Sequence, residues 1–311
     1  MSAGLLHKTV LEREAVQALK IKAEGNYIDA TFGRGGHSRA ILSLLNEKGR
    51  LIVIDRDPEA VAVAKELKEK DPRLEVVQAA FGKLGKLKET EQFRGEIDGV
   101  LFDLGVSSPQ LDDPQRGFSF LHDGPLDMRM NPMDQLSAMQ WINQSDEEEI
   151  ANVFFGFGEE RYSRRIAKRI VEERADKAIE TTIQLADIII DANPAWENEK
   201  HPATRVFQAI RIRINDELEE IKAGLNNTLE LLGSGGRLAV ISFHSLEDRI
   251  VKRFIADKAL GDGFPRDLPV THDQLKPTFK KIGKPIKASK AEILNNPRAR
   301  SAVMRVAEKL A

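Results

Sequence analysis

One stretch constrains the fold more than any other. Tyr27-Ile28-Asp29-Ala30-Thr31-Phe32-Gly33-Arg34-Gly35-Gly36-His37 is followed by an apolar run that ends in Asp55. A short strand delivers an acid, glycines make a tight turn, and a helix starts. A second strand then ends in another acid, about 20 residues after the last glycine, the spacing of nucleotide-binding βαβ units. Glycine admits a close backbone approach that a Cβ would block, and an acid at the second strand tip can accept from a ribose diol. The pattern predicts a parallel α/β sheet that holds a group carrying an adenosine.

The rest of the chain continues this rhythm, breaks it and resumes it. Apolar runs at 27–30, 50–55, 75–79 and 97–104 read as strands, and 10–19, 37–45 and 58–70 as helices. Pro58 suits a first helical turn, where a missing N–H is no loss. From 112 to 205 no strand alternates with helix. A Gly-, Pro- and Asp-rich segment leads into helical patterns at 135–143, 146–155, 162–175 and 182–192. A structureless connection of that length is improbable, so this region is expected to be an all-helical insertion. Leu218, Ile221, Leu225, Leu229 and Leu232 then recur at helical spacing, and Gly233-Ser234-Gly235-Gly236 is expected to end that helix. A strand at 237–243, a helix at 246–256 and a closing antiparallel pair at 278–286 and 302–307 complete the reading. The expected architecture is a Rossmann-like α/β domain of residues 1–111 and 206–311 that binds the cofactor. An inserted helical domain, 112–205, is expected to recognise the substrate.

Charge discriminates between adenosine cofactors. A dinucleotide turn uses a third glycine for close helix–strand packing, and here that place is Ser38. Asp29, ahead of the turn, would repel a pyrophosphate but suits the positively charged methionine portion of S-adenosylmethionine. Gly33, Gly35, Gly36 and His37 would line the turn, and Asp55 would take the ribose, while Asp57 before Pro58 is the better helix cap. Phe81, after the third strand, lies where an adenine would be covered, although a core role suits it equally. A glycine turn of purely structural use is the competing reading.

The fourth strand points to the reaction. Leu101-Phe102-Asp103-Leu104-Gly105-Val106-Ser107-Ser108-Pro109-Gln110 ends in a polar, proline-containing turn at the strand's carboxyl end, where open α/β sheets place their chemistry. Methyl transfer from a sulfonium is an in-line displacement that needs alignment and an acceptor with a free lone pair. Asp103, with Ser107, Ser108 and Pro109, would accept from amino protons and localise such a lone pair. The serines and proline also read as a simple turn initiator. His244, in Ser242-Phe243-His244-Ser245-Leu246-Glu247-Asp248-Arg249, would assist proton removal or hold a phosphate or base. No Gly-x-Ser-x-Gly elbow supports a serine hydrolase.

Composition excludes other classes. Of 311 residues 41% are hydrophobic and 31% charged, and the formal net charge of −2 provides no global field for a polyanion. A nucleic-acid surface must therefore be a local patch. Arg161, Arg164, Arg165, Lys168 and Arg169 form one basic cluster. Lys280, Lys281, Lys284, Lys287 and Lys290, followed by Arg298 and Arg300, form another. With no cysteine there is no disulfide, thiolate nucleophile or Cys-based zinc site, and no metal is expected. Residues 1–19 lack the apolar core of a secretory signal, and Ile188-Ile189-Ile190, among the longest aliphatic runs, is far too short to span a bilayer. A cytoplasmic enzyme is expected.

Taken together, several of these motifs resemble one family. They are Asp29 to His37, Asp103 to Gln110, Gly124-Pro125-Leu126-Asp127-Met128-Arg129, Arg205-Val206-Phe207-Gln208-Ala209, Ser242 to Arg249 and Asn296-Pro297-Arg298-Ala299-Arg300-Ser301. In order and over nearly the full length they resemble the RsmH (MraW) family of bacterial methyltransferases. The resemblance implies a class I S-adenosylmethionine-dependent fold with a helical insertion. It implies methylation of the exocyclic N4 of a decoding-site cytosine in 16S rRNA of the small ribosomal subunit. It also implies a cofactor site from Gly35, Gly36, His37, Asp55, Phe81, Asp103 and Gln110. Gln110 stands where amino-methyltransferases of DNA carry an aromatic that stacks on a flipped base, so Phe118, Phe120 and Phe243 are the candidates for that stack. A non-catalytic rRNA-binding assembly factor and an amino-methyltransferase of DNA remain the alternatives, and a homodimer is one open oligomeric state.

Overall fold

The computed structural model describes residues 9–194, 201–261 and 276–311. Their contacts divide the chain into two compact units, with borders at Gly105/Val106 and Glu217/Leu218.

The first unit is a seven-stranded sheet. Its strands are β1 (Asn26–Asp29), β2 (Arg50–Asp55), β3 (Leu74–Gln78), β4 (Ile97–Asp103), β5 (Leu232–Ser242), β6 (Phe279–Lys287) and β7 (Val303–Lys309). The spatial order is β3-β2-β1-β4-β5-β7-β6. The first five strands run parallel, while β7 is antiparallel to both β5 and β6. This order, with an antiparallel β7 inserted before β6, agrees with the Rossmann-like class I fold that the motif resemblance implies and with the closing antiparallel pair read at 278–286 and 302–307.

Alternate residues of each strand feed different cores, which is why the strands read as continuous apolar runs rather than as alternation. Tyr27, Leu51, Val53 and Leu101 pack with Ala15, Leu19, Ile41 and Ala64 of the helices on one face. Ile28, Ile52, Ile54, Val100 and Phe102 pack with Ile221, Leu225, Val251 and Ile255 on the other. Helix Pro58–Lys70 starts as expected, with the Asp57 side chain accepting from the Glu59 amide and proline in the first turn. The glycine run 233–236 departs from expectation. It does not separate helix from strand but opens β5 itself, where the pairing with β4 shifts register between Ile97 and Gly99. Glycine permits the left-handed φ of +78° at Gly235 in this irregular stretch.

The second unit is helical, with Ala138–Gln144, Glu147–Gly158, Ser163–Asp176, Thr182–Ala192 and Ala203–Asn215 around Trp141, Phe154, Ile166, Leu185 and Phe207. Capping residues start several of these helices, including Ser137 with Gln140 and Thr181 with Gln184. The unit runs from Val106 to Glu217, wider than the 112–205 read from lost rhythm. Helix Ala203–Asn215 accounts for the C-terminal difference: its Val206, Phe207 and Ile210 join the unit's core. Its Ile210-Arg211-Ile212-Arg213-Ile214 stretch has a period of two, which conceals a helix from pattern reading. Among the described residues no helix is long and apolar enough to cross a membrane.

Candidate active site at the carboxyl edge of the sheet

Parallel register brings four strand ends to one edge of the first unit. Asp29 ends β1, Asp55 ends β2, Asp103 ends β4 and Ser242 ends β5. Because β1 lies between β2 and β4, the strand order reverses here, at the switch point where open α/β sheets form their crevice.

The glycines of the turn have different causes. Gly33 adopts φ +55°, and a Cβ there would meet nothing within 4 Å, so this is the position that faces open space. At Gly35, φ +74°, a Cβ would lie 2.5 Å from the Phe32 ring. At Gly36 it would lie 1.7 Å from Thr9 Oγ1. Packing by itself therefore requires glycine at Gly35 and Gly36. His37 is likewise enclosed, at 4% exposure, with Nε2 3.1 Å from the Val10 carbonyl.

The three acids differ in what they can offer. Asp29 is 1% exposed: Oδ2 accepts from the Ser38 hydroxyl at 2.6 Å and Oδ1 from the Thr31 amide at 3.2 Å. Ser38, read only as a missing third glycine, is the donor that holds it. Asp55 spans the turn, with Oδ2 accepting from the Gly33 amide at 2.8 Å and Oδ1 from the Asp57 amide at 2.9 Å. Each oxygen retains a second lone pair. Asp103 is fixed through its backbone, its amide donating to Thr31 Oγ1 at 2.6 Å. Its Oδ2 lies 3.8 Å from His37 Nδ1, and its Oδ1 is enclosed without a hydrogen-bond partner.

This crowding disfavours ionisation. Burial pushes Asp29 up to about 6, against the hydrogen bonds from Ser38 and Thr31 that pull it down. Burial also pushes Asp55 up to about 6, helped by the charges of Asp57 and Asp29 and opposed by the amides of Asp57 and Gly33. Asp103 is held well above the usual carboxylate range by burial, then by the charges of Asp29 and Glu247. A raised carboxylate binds more protons in the folded than in the unfolded state. The stability it contributes is complete below about 4 and is lost as pH rises through about 6. A cationic ligand has the opposite preference, since it favours the charged acids. The affinity for S-adenosylmethionine is thus expected to rise several-fold from pH 5 to pH 7. That for S-adenosylhomocysteine, which lacks the sulfonium charge, should rise less. Calorimetric titration of both ligands across this range checks the difference, and parallel pH profiles would disprove it.

The end of β5 adds a residue that sequence reasoning passed over. Glu247 is 0% exposed, and its Oε2 accepts from the amides of Phe243 and His244 at 2.7 and 3.2 Å. Its Oε1 lies 3.1 Å from His244 Nε2. The available signal was an acid at the third position of helix Ser245–Leu260, half of a capping box. His244 therefore caps that helix in partnership with Glu247. A Cβ on Gly105, φ +92°, would approach Phe243 and Glu247 at 3.8 and 3.9 Å, so the turns after β4 and β5 run alongside each other.

Phe81 opens a short 3-10 helix, Phe81–Lys86, and meets the Phe102 ring edge-on at 5.5 Å, packing in part against the core. Ser107, Ser108, Pro109 and Gln110 belong to the second unit, so the chain divides within the turn that the sequence presents as one. There Ser107 caps helix Ser108–Asp112, and Gln110, 5% exposed, accepts from the Ser107 amide at 2.9 Å. Of the aromatic candidates, Phe118 is in the helical core and Phe120 stacks on His201 at 4.5 Å. Phe243 is the one that lies at the sheet edge.

The MraW methylase family model matches residues 4–310. Two relatives, both named ribosomal RNA small subunit methyltransferase H, come from Legionella pneumophila strain Paris and from Legionella pneumophila subsp. pneumophila strain Philadelphia 1. Each is 52% identical over 305 residues, spanning 98% of this chain and 99% of the relative. Among solved structures, an rRNA methylase from Streptococcus thermophilus aligns with TM-score 0.39 and 11% identity over 98% of this chain and 99% of that one. The assignment does not rest on that likeness. By the extent of the family match and the identity to its relatives, the chain belongs to the MraW methylase family and is a methyltransferase that takes its methyl group from S-adenosylmethionine.

Proposed function

We propose that this methyltransferase acts on small-subunit ribosomal RNA, at the exocyclic N4 of a decoding-site cytosine. The names of its relatives support the RNA class, and the motif resemblance supports the position. The observation that carries the chemistry is the row of Asp29, Asp55 and Asp103 at adjoining strand ends, with Asp103 Oδ1 enclosed and lacking a hydrogen-bond partner. These residues fit the cofactor: Gly33 leaves space, Asp55 has lone pairs for ribose hydroxyls, and the acids complement a positive charge.

The bound cofactor supplies an electrophilic methyl group. Asp55 would hold the ribose, Phe81 would cover the adenine, and Asp29 would contribute charge. Asp103 Oδ1 accepts from an amino proton and thereby localises the nitrogen lone pair that ring conjugation would otherwise delocalise. The Thr31 hydroxyl fixes the backbone that carries that carboxylate. Recognition of the RNA is assigned to the helical unit of residues 106–217, and a ribosomal substrate implies a cytoplasmic site of action. Transfer of labelled methyl to small subunits, free 16S rRNA and duplex DNA tests this reading. Label on cytosine N4 after digestion of subunit rRNA is the expected result, whereas label in DNA alone, or in another nucleoside, would overturn it.

A further inference from the structure

The most unbalanced charge lies away from the acidic edge, at the C-terminal border of the sheet. Between residues 276 and 300 the sequence has eight Lys or Arg and a single acid, Glu292, in a chain whose net charge is −2. Lys280, Lys281, Lys284, Lys287, Lys290 and Arg300 are all exposed, and none has an ion-pair partner among the described residues. Glu292 faces inward, its Oε1 accepting from the Leu11 amide at 2.8 Å. The basic cluster of the helical unit differs. There Lys168 pairs with Glu172 at 3.9 Å and Arg169 pairs with Glu173, so the helix neutralises part of its own charge.

Edge protection explains some of these lysines. Among the described residues β6 pairs only with β7, and Lys side chains, Pro285 and the irregularity between Ile282 and Ile286 all deter pairing with another strand. That role ends with the strand. Lys290 lies on helix Lys290–Asn295 and Arg300 on the turn Pro297–Ser301, where there is no edge to protect. The four lysines of β6 run from Lys280 to Lys287, about 23 Å at the rise of a strand. Such a row suits the backbone of a polyanion better than a single phosphate. It is also tied to the cofactor turn. The Leu11 amide bonded to Glu292 follows Thr9 and Val10, which pack on Gly36 and His37.

We propose that this basic border binds the phosphate backbone of the rRNA substrate away from the reacting base, and so orients the RNA through sequence-independent charge contacts. The inference rests on the rRNA reading above. The test compares full-length protein with its Lys280→Gln/Lys284→Gln/Lys287→Gln variant, measuring RNA binding and methyl transfer between 50 and 200 mM salt. Loss of about three phosphate contacts should weaken binding to 16S rRNA at least tenfold and make the log–log salt slope shallower by about 2 to 3. Cofactor affinity and turnover at saturating RNA should stay unchanged. The matching Lys→Arg triple variant should restore binding. Lys290→Gln/Arg300→Gln, off the edge strand, should shift it in the same direction even if the first variant aggregates. Unchanged RNA affinity and slope in both neutral variants would overturn the inference and leave the rRNA reading intact, since transfer would persist. Weaker binding to subunits with unchanged binding to protein-free rRNA would identify a ribosomal protein as the partner and also overturn it. Failure of the unaltered protein to methylate rRNA at all would remove the rRNA reading, and this inference with it.

Discussion

Asp55→Ala should raise the dissociation constant for S-adenosylmethionine about 100-fold, since it removes two charge-assisted hydrogen bonds of roughly 1.5–3 kcal/mol each, partly offset by relief of a buried charge. The same carboxylate accepts from the Gly33 and Asp57 amides, so its loss also loosens the turn. Asp55→Asn separates the two effects. It keeps an acceptor for the Gly33 amide while losing the charge and one acceptor, and should fall between alanine and the parent. Calorimetry gives the affinities, and thermal melting of the ligand-free variants reports the turn. An alanine variant within threefold of the parent affinity would remove Asp55 from the site.

The sequence makes the sheet legible because its signals are local. Strand β2 and helix Pro58–Lys70 have the expected bounds, and β1, β3 and β4 are displaced by one residue at most at either end. In the second unit the helices read from 146 and from 182 start within one residue of the observed Glu147 and Thr182, behind the caps Asp146 and Thr181. Helix Ala203–Asn215 escapes such a reading, because alternating Ile and Arg imitate a strand and only burial in the helical core resolves the ambiguity. At the site, spacing locates Asp29, Asp55 and Asp103 at strand ends but cannot assign their partners. Ser38 reads as an imperfect glycine motif until its hydroxyl is seen on Asp29. Glu247 is passed over in the sequence, and only its burial beside His244 brings it out. The packing demand on Gly36 comes from Thr9, 27 positions away in sequence, which occupies the space beside it. Hydrogen bonds and close packing between distant residues have no periodicity, so no pattern in the chain reports them.

Asp103 should be the most sensitive position. Asp103→Ala is expected to lower kcat/KM for methyl transfer about 10³-fold, the scale on which a single placed acceptor or proton-transfer group acts in a water-poor site. Its Oδ1 is the enclosed carboxylate oxygen at the strand ends without a hydrogen-bond partner, and the Thr31 hydroxyl fixes the backbone that carries it. Asn at this position retains an acceptor but loses the charge, and should recover about a tenth to a hundredth of parent activity, the worth of the charge on a hydrogen bond. The suppressed ionisation of Asp103 also predicts direction with pH. Charged Asp103 is the better acceptor, so activity at saturating cofactor should climb toward alkaline pH in the parent and lose that limb in Asp103→Asn. Single-turnover rates on small subunits measure both effects. If alanine costs less than tenfold, or if the asparagine variant keeps the pH limb, the acceptor role belongs to another group. His244 beside Glu247, at the end of the neighbouring strand, is then the next residue to replace.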